Sequence, residues 1–236
     1  MPENLLIPSV DLRVGSLLEY NRTQIQKAGR HKHKEQEKAL PCITLSREFG
    51  CEGYPVAERL RELMACATGE EWLLMDKSLL VEVAHHHNLS EEVLQGLGEK
   101  NRILDEVLAT FSSNWKSEKD HFKLLCRHIV SLAEKGNVII VGRGGAIITQ
   151  HLQNCRHFRL YASLAFKTAS IAQRLRMEPE EAERLIEKKQ RQRDRFNIDF
   201  LDRDARDPRY YDMLFNNDRN SPERIAQTIA EYVLKG

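Results

Sequence analysis

Four consecutive β-branched residues, Val138-Ile139-Ile140-Val141, constrain the fold of this chain more than any other stretch. A strand with one wet face alternates apolar and polar residues. A run that is apolar at every position has both faces covered, as a strand inside a parallel sheet does. Parallel neighbours need long crossovers, usually helical, so a chain holding such a strand must alternate strands with helices. The rest of the sequence does so. Pro41 opens a strand at 42–45, and beyond a turn Val56, Ala57, Leu60, Leu63 and Met64 recur at helical spacing. Trp72-Leu73-Leu74-Met75 is short and apolar, and a helix carrying Phe122, Leu125, Ile129, Leu132 and Ala133 stops at Gly136, a C′ glycine. His157–Tyr161 reads as a strand, Ser163 as the cap of the next helix, and Pro179 as the first residue of another, with Glu180, Glu181 and Glu183 near its positive end. Tyr211–Phe215 reads as the last strand, and Ser221-Pro222-Glu223 begins a closing helix. The expected fold is α/β: a three-layer parallel sheet of about five strands with helices on both faces. Residues 93–120 read as a charged helical insert, with 111–119 as a loop.

A chain of 236 residues can bury one substantial core without staples. The five cysteines are odd in number and never in a C-x-x-C spacing, so reduced thiols are expected rather than a disulfide framework or a zinc site. No apolar run approaches membrane-spanning length, and Met1–Val10 lacks a basic start and a long apolar segment, so a cytoplasmic protein with no membrane association is expected. Residues 1–40 read as an extension: a partly helical apolar pattern that packs on the domain or pairs with another subunit in a homo-oligomer, then a polar linker rich in Lys, His and Glu. The consecutive His85, His86 and His87 point about 100° apart on a helix and cannot converge on one metal ion.

The place where phosphate would bind is the turn after the first strand, Ser46-Arg47-Glu48-Phe49-Gly50-Cys51-Glu52-Gly53-Tyr54. A strand delivers the chain, glycines let backbone N–H groups turn inward, and the following helix adds its positive end. Ser46, Arg47, Phe49, Gly50, Cys51, Glu52, Gly53 and Tyr54 are therefore the candidate phosphate-binding residues. The strand at 138–141 runs into Gly142-Arg143-Gly144-Gly145, at the strand end where open α/β sheets bind their ligands. Far along the chain, Lys188-Lys189-Gln190-Arg191-Gln192-Arg193-Asp194-Arg195 forms a strongly basic helical stretch.

Together these stretches resemble the cytidylate kinase-like family of P-loop proteins. The likeness runs from about 41 to 235 and rests on Ile43–Gly50, Val141-Gly142-Arg143-Gly144, Asp207-Pro208, Tyr211-Asp212 and Asn216-Asn217. It implies a nucleoside monophosphate kinase-like domain over 41–235, with a monophosphate-binding segment at about 70–135 and a lid at about 178–205. It further implies ATP with Mg²⁺ as cofactors, nucleotides as substrates, and ATP-dependent transfer of a γ-phosphoryl group to cytidylate or a similar acceptor. Arg143, Arg191 and Arg193 take the catalytic roles, and Asp76, Arg143 and Gly144 the acceptor side. Arginines suit both tasks, because a planar guanidinium grips phosphate bidentately and keeps its charge.

The loop departs from the P-loop pattern. Laid on G-x-x-x-x-G-K-[ST] without gaps, Arg47 and Glu52 fall on the glycines, Gly53 on the lysine and Tyr54 on the hydroxyl. The cation normally built into the loop has to come from Arg47, the lid or the metal, and Glu52 has to turn its carboxylate away. Cys51 reads either as a reactive thiol at a helix N-terminus or as a buried inert one. Three functions fit: a kinase, a nucleotide-binding sensor or scaffold lacking catalysis, and a nucleic-acid binder using 188–195. The last is disfavoured by the shortness of the basic stretch, its few aromatics and the formal net charge of +1.

Overall fold

The structure is a computed structural model and describes residues 40–76, 116–142 and 144–235. Among the described residues five strands are present: β1 (Cys42–Arg47), β2 (Leu73–Met75), β3 (Val138–Val141), β4 (Cys155–Tyr161) and β5 (Met213–Asn216). All four pairings are parallel, and the order across the sheet is β2-β3-β1-β4-β5. The helices are α1 (Gly53–Thr68), α2 (Lys116–Lys135), the single turn α3 (Gly145–Ile148), α4 (Leu164–Leu175), α5 (Pro179–Leu201) and α6 (Pro222–Lys235), with a 3₁₀ turn at Pro208–Tyr210. This is the expected parallel α/β architecture.

The continuous apolar strands divide their side chains between two cores. Val138 and Ile140 join the cluster that holds Phe122, Ile129 and Leu132 of α2 and Ile147 and Ile148 of α3. Ile139 and Val141 join the opposite cluster, with Val56, Leu60 and Met64 of α1 and Ile225 and Ile229 of α6. All four β3 residues are buried, each fully buried aliphatic side chain contributing roughly 1.5–3 kcal/mol. Gly145 lets α3 close on the sheet, since a Cβ there would stand 3.3 Å from the Ile140 methyl.

The boundaries move where apolar spacing is silent. The stretch 111–119 was expected to be a loop, but α2 begins at Lys116, in a polar first turn that shows no apolar period. The final strand is displaced to Met213–Asn216, because Asp207 and Pro208 start the 3₁₀ turn. Helix α5 is continuous to Leu201; Phe196 and Phe200 pack with Phe122, at ring separations of 5.6 and 4.9 Å. Ser163 caps α4 as expected, its hydroxyl accepting from the Phe166 N–H. The extension 1–40 lies outside the described residues except for Leu40, and so do His85–His87 and most of the segment 70–135.

Two histidines, His128 buried and His157 half-buried, tie stability to pH. His157 on β4 shares a hydrogen bond of 2.8 Å with Thr44 Oγ1 on β1, and burial, against the pull of Asp212, lowers its pKa to about 4. His128 on α2 is likewise lowered to about 4 by burial. Unfolded histidine takes its proton near pH 6.5, so between about 6.5 and 4 the unfolded chain holds more protons than the native one. Stability is therefore full above that window and falls as pH falls through it, by on the order of a few kcal/mol. Denaturant midpoints from pH 7 to 4.5 should show this decline. His157→Asn, which keeps a polar atom near the Nδ1 position without the titration, should remove about half of it; an unchanged slope would refute the assignment to His157.

Candidate functional site

Three strands end at one edge. β1 hands the chain to α1, β3 hands it to α3 on the other face of the sheet, and β4 hands it to α4. The connections from β1 and β3 leave toward opposite faces, which opens a crevice between their ends, the position where such sheets bind ligands. The turn Glu48-Phe49-Gly50-Cys51-Glu52 joins β1 to α1 at this edge.

Arg47, the last residue of β1, fills the crevice from within. Its aliphatic stem lies against Gly53, where a Cβ would stand 3.0 Å from Arg47 Cγ. Its guanidinium lies against Gly142 at the end of β3, so closely that a Cβ there would overlap Arg47 Nη1. Burial lowers the pKa of Arg47, and the Asp76 carboxylate, 1% exposed just beyond β2, opposes that shift. Gly53 is thus a glycine for the sake of an internal arginine, and Gly142, at φ 80°, for that arginine and for its own left-handed backbone. Gly50, at φ 98°, is one for the backbone turn and for its contact with α4.

Three further cations reach the turn from other elements. Arg159 on β4, 5% exposed and in register with Ser46, donates to Ser46 Oγ at 3.1 Å and lies 4.0 Å from Glu48. Lys167 on α4 pairs with the other Glu48 oxygen at 2.7 Å. Arg193 on α5 donates to the Arg47 carbonyl at 3.2 Å and stacks over the Phe49 ring at 5.0 Å. Cys51 sits among them, 7% exposed. Its thiol is pushed up to about 12 by burial and by Glu48, against the influence of Lys167, Arg193 and Arg159. The neutral, enclosed thiol matches the inert of the two readings.

Side chains already hold part of the loop backbone. Gln190 Oε1 accepts from the Phe49 N–H at 2.9 Å, and Asn217 Oδ1 accepts from the Glu52 N–H at 2.8 Å. Asn217 Nδ2 faces the Glu52 carboxylate at 3.4 Å, and Arg174 lies within its field. The Glu52 carboxylate is therefore drawn aside by Asn217 and Arg174, while its N–H is held by Asn217. No side chain caps α1, and no acidic residue stands in its first turn.

The sequence-derived candidates sort clearly in space. Ser46, Arg47, Phe49, Gly50, Cys51, Glu52 and Gly53 form the turn and its flanks, and Tyr54 follows on α1. Asp76 stands near Arg47, and Gly144, at φ 68°, opens α3 beside Leu201 and Asn197 of α5. Arg193 joins the turn, whereas Arg191 is exposed and paired with Glu187 one helical turn away. Two residues apart on a helix means about 200° of rotation, so one pose of α5 cannot aim both inward. Arg143 lies outside the described residues.

Arg159, Lys167 and Gln190 were not singled out from the sequence, and Asn217 only as part of the family likeness. A signal for Arg159 existed. A charged residue between Phe158 and Leu160, in a strand covered on both faces, has to have an internal partner.

A model of the cytidylate kinase-like family matches residues 42–219 of this chain. The chain belongs to the cytidylate kinase-like family. Among solved structures it is similar to one described as the crystal structure of an uncharacterized protein from Eubacterium ventriosum ATCC 27560, with a TM-score of 0.65 and 21% identity. That likeness covers 84% of this chain and 100% of the other, and it speaks for the fold. No curated protein matches the chain. A nucleotide kinase-like fold is thereby given to this member of the cytidylate kinase-like family, and such families generally use ATP and Mg²⁺. Among the described residues no helix is long and apolar enough to cross a membrane.

The charge and shape around this family member's turn fit a polyphosphate: cations from four elements, a glycine-dependent turn and an uncapped helix start. A protein-held magnesium fits less well. Among the described residues no three His, Cys, Asp or Glu groups gather for an ion, and the Glu48 carboxylate is engaged by cations. Magnesium in phosphoryl transfer commonly keeps several waters and uses few protein ligands, so an ion carried by the nucleotide itself asks little of the loop.

The internal arginine can be tested by a double-mutant cycle. Gly142→Ala should destabilise the chain by about 2–4 kcal/mol, from left-handed backbone strain plus displacement of Arg47. In an Arg47→Met background it should cost only the strain, about 1–2 kcal/mol. Urea midpoints measure both, and additive effects would show that the guanidinium does not occupy the space at Gly142.

Proposed function

We propose that the chain is an ATP-dependent nucleotide phosphotransferase that passes a γ-phosphoryl group to a nucleoside monophosphate, with cytidylate as the first acceptor to test. One observation carries this reading: Arg47, Arg159, Lys167 and Arg193 come from four different elements to a single glycine turn at the carboxyl end of the central strand. Phosphoryl transfer asks for little covalent chemistry from the protein; it asks for two anions held in line and for their spreading charge to be neutralised in a fixed, partly dry place. Bound ATP supplies the phosphoryl group, and the chain supplies position and charge.

In this reading Arg193, over Phe49 and against the Arg47 carbonyl, takes the lid role expected of the Arg191 and Arg193 pair. Arg143, which lies outside the described residues, is assigned to the acceptor in this reading, together with Asp76 and Gly144. The domain would comprise 41–235, with 178–205 as the lid and about 70–135 as the acceptor segment.

A second reading is favoured by a specific observation. The Phe49 and Glu52 N–H groups are held by Gln190 and Asn217, so part of the anion-binding backbone is already occupied. A chain tied in this way would bind nucleotide and signal it without turnover.

One assay separates the two. ADP release from ATP, measured across a panel of nucleoside monophosphates, should depend on the acceptor and should fall about 10²-fold or more in kcat for Arg193→Ala, with a smaller loss for Arg191→Ala. ATP binding by calorimetry without acceptor-dependent ADP release would decide for the sensor. No affinity for ATP at all would reject both.

A further inference from the structure

The lysine missing from the loop leaves a specific chemical task undone: a mobile point charge beside the outer phosphates. From the geometry we infer that Lys167 on α4, with Arg159 on β4 beside it, supplies that cation from outside the loop, and that Glu48 holds the pair with its own carboxylate until a polyphosphate displaces it. The identity of the ligand rests on the phosphotransferase reading; the anion site itself does not.

The position of Lys167 is fixed by Gly50. A Cβ on Gly50 would stand 2.6 Å from Lys167 Cβ and 3.2 Å from its Cα, so the first turn of α4 is seated directly on the turn of the loop. From there the stem carries Nζ to 2.7 Å from Glu48 Oε2, and the side chain keeps 14% of its surface open. Arg159 approaches the same carboxylate from below, at 4.0 Å with its side chain 6% exposed, and is anchored by Ser46. One carboxylate therefore answers two enclosed cations and leaves a net positive charge at the turn. Asp204, in the field of Arg159, is engaged by Arg206, and Asp218, in the field of Lys167, is engaged by Ser163.

A carboxylate and a phosphate present the same kind of acceptor oxygen to an ammonium or a guanidinium. An ion pair this enclosed is dear in desolvation and is often no more stable than an apolar substitute. A more exposed partner, Glu48 at 23%, joined to less exposed cations at the mouth of a glycine turn is the arrangement an incoming anion can exchange with. Lysine suits the exchange, because its ammonium is a compact charge on a flexible stem.

Calorimetry of the full chain with inorganic tripolyphosphate at low ionic strength tests this directly. Removing the competing charge by Glu48→Gln should tighten binding about tenfold, and Lys167→Met should weaken it by about the same factor. Lys167→Arg should restore most of the affinity, and Lys167→Met added to Glu48→Gln should abolish the gain. The gain cannot arise from a misfolded variant. Tripolyphosphate binding that Glu48→Gln leaves no tighter, or that survives Lys167→Met in the Glu48→Gln background, overturns the inference, as does a wild-type chain and a Glu48→Gln variant that both fail to bind it. Acceptor-dependent ADP release that is indifferent to Lys167→Met overturns it while leaving the kinase reading standing. Lys167-dependent tripolyphosphate binding in a chain that turns over no acceptor supports the inference and removes the kinase reading.

Discussion

The parallel pairing of β1 between β3 and β4 decides where the charged groups of this protein can go. Leu45 pairs with Val141 on one side, and Ser46 with Arg159 on the other. This register brings the ends of three strands to one edge and leaves the turn after β1 between them. With β3 and most of β1 buried on both faces, the charged side chains the strands bring to the site stand toward their carboxyl ends. There Arg47 extends along β1 into the crevice, Arg159 reaches Ser46 across the pairing, and Asp76 follows directly on β2. A one-residue slip of β4 would turn Arg159 to the other face and remove it from the turn.

Gathering cations at such a place has an electrostatic cost. Two unit charges 4 Å apart repel by about 1 kcal/mol in water and about 4 kcal/mol at the dielectric typical near a protein surface. The protein offsets the repulsion with acids placed one to a direction. Asp76 faces Arg47, and Glu48 stands between Arg159 and Lys167. Arg193 uses the Phe49 ring and the Arg47 carbonyl, neutral partners that hold a guanidinium without cancelling its charge. Glu52, which would oppose an anion, is drawn to Asn217 and Arg174. The resulting field is positive at the turn although the whole chain carries a formal charge of only +1.

Most of the fold was legible in the sequence because burial leaves a periodic trace. Val138–Val141 announced a strand covered on both faces, and the two cores divide its residues as the alternation requires. Ser163, Pro179 and Gly136 marked helix ends through local chemistry that tertiary contacts left unchanged. The misplaced boundaries lay in polar sequence. Nothing in the first turn of α2 at Lys116 has an apolar period to read, and α5 runs on through charged residues because Phe196 and Phe200 find Phe122, a contact far apart in the chain. The location of the turn was equally legible, since glycines after an apolar run have few other uses.

Its chemistry was legible only in part, and for a definable reason. Gly53 and Gly142 look in sequence like room for a ligand, yet the room is taken by Arg47, a residue of the same chain. That a side chain fills both glycine-lined spaces is decided by packing across 6 and 95 positions of sequence respectively, and no local pattern records it. The same holds for Arg191 and Arg193. Both sit in one basic run, and only the rotation of α5, set by Ala182 and Ile186 against Phe49, Ile171 and Leu175, decides that Arg193 faces the turn. A basic run read as a unit is, in the folded molecule, two faces with different partners: one exposed and paired with Glu187, the other seated on the loop. The apolar contacts beneath α5 are thus what aim the charge above them.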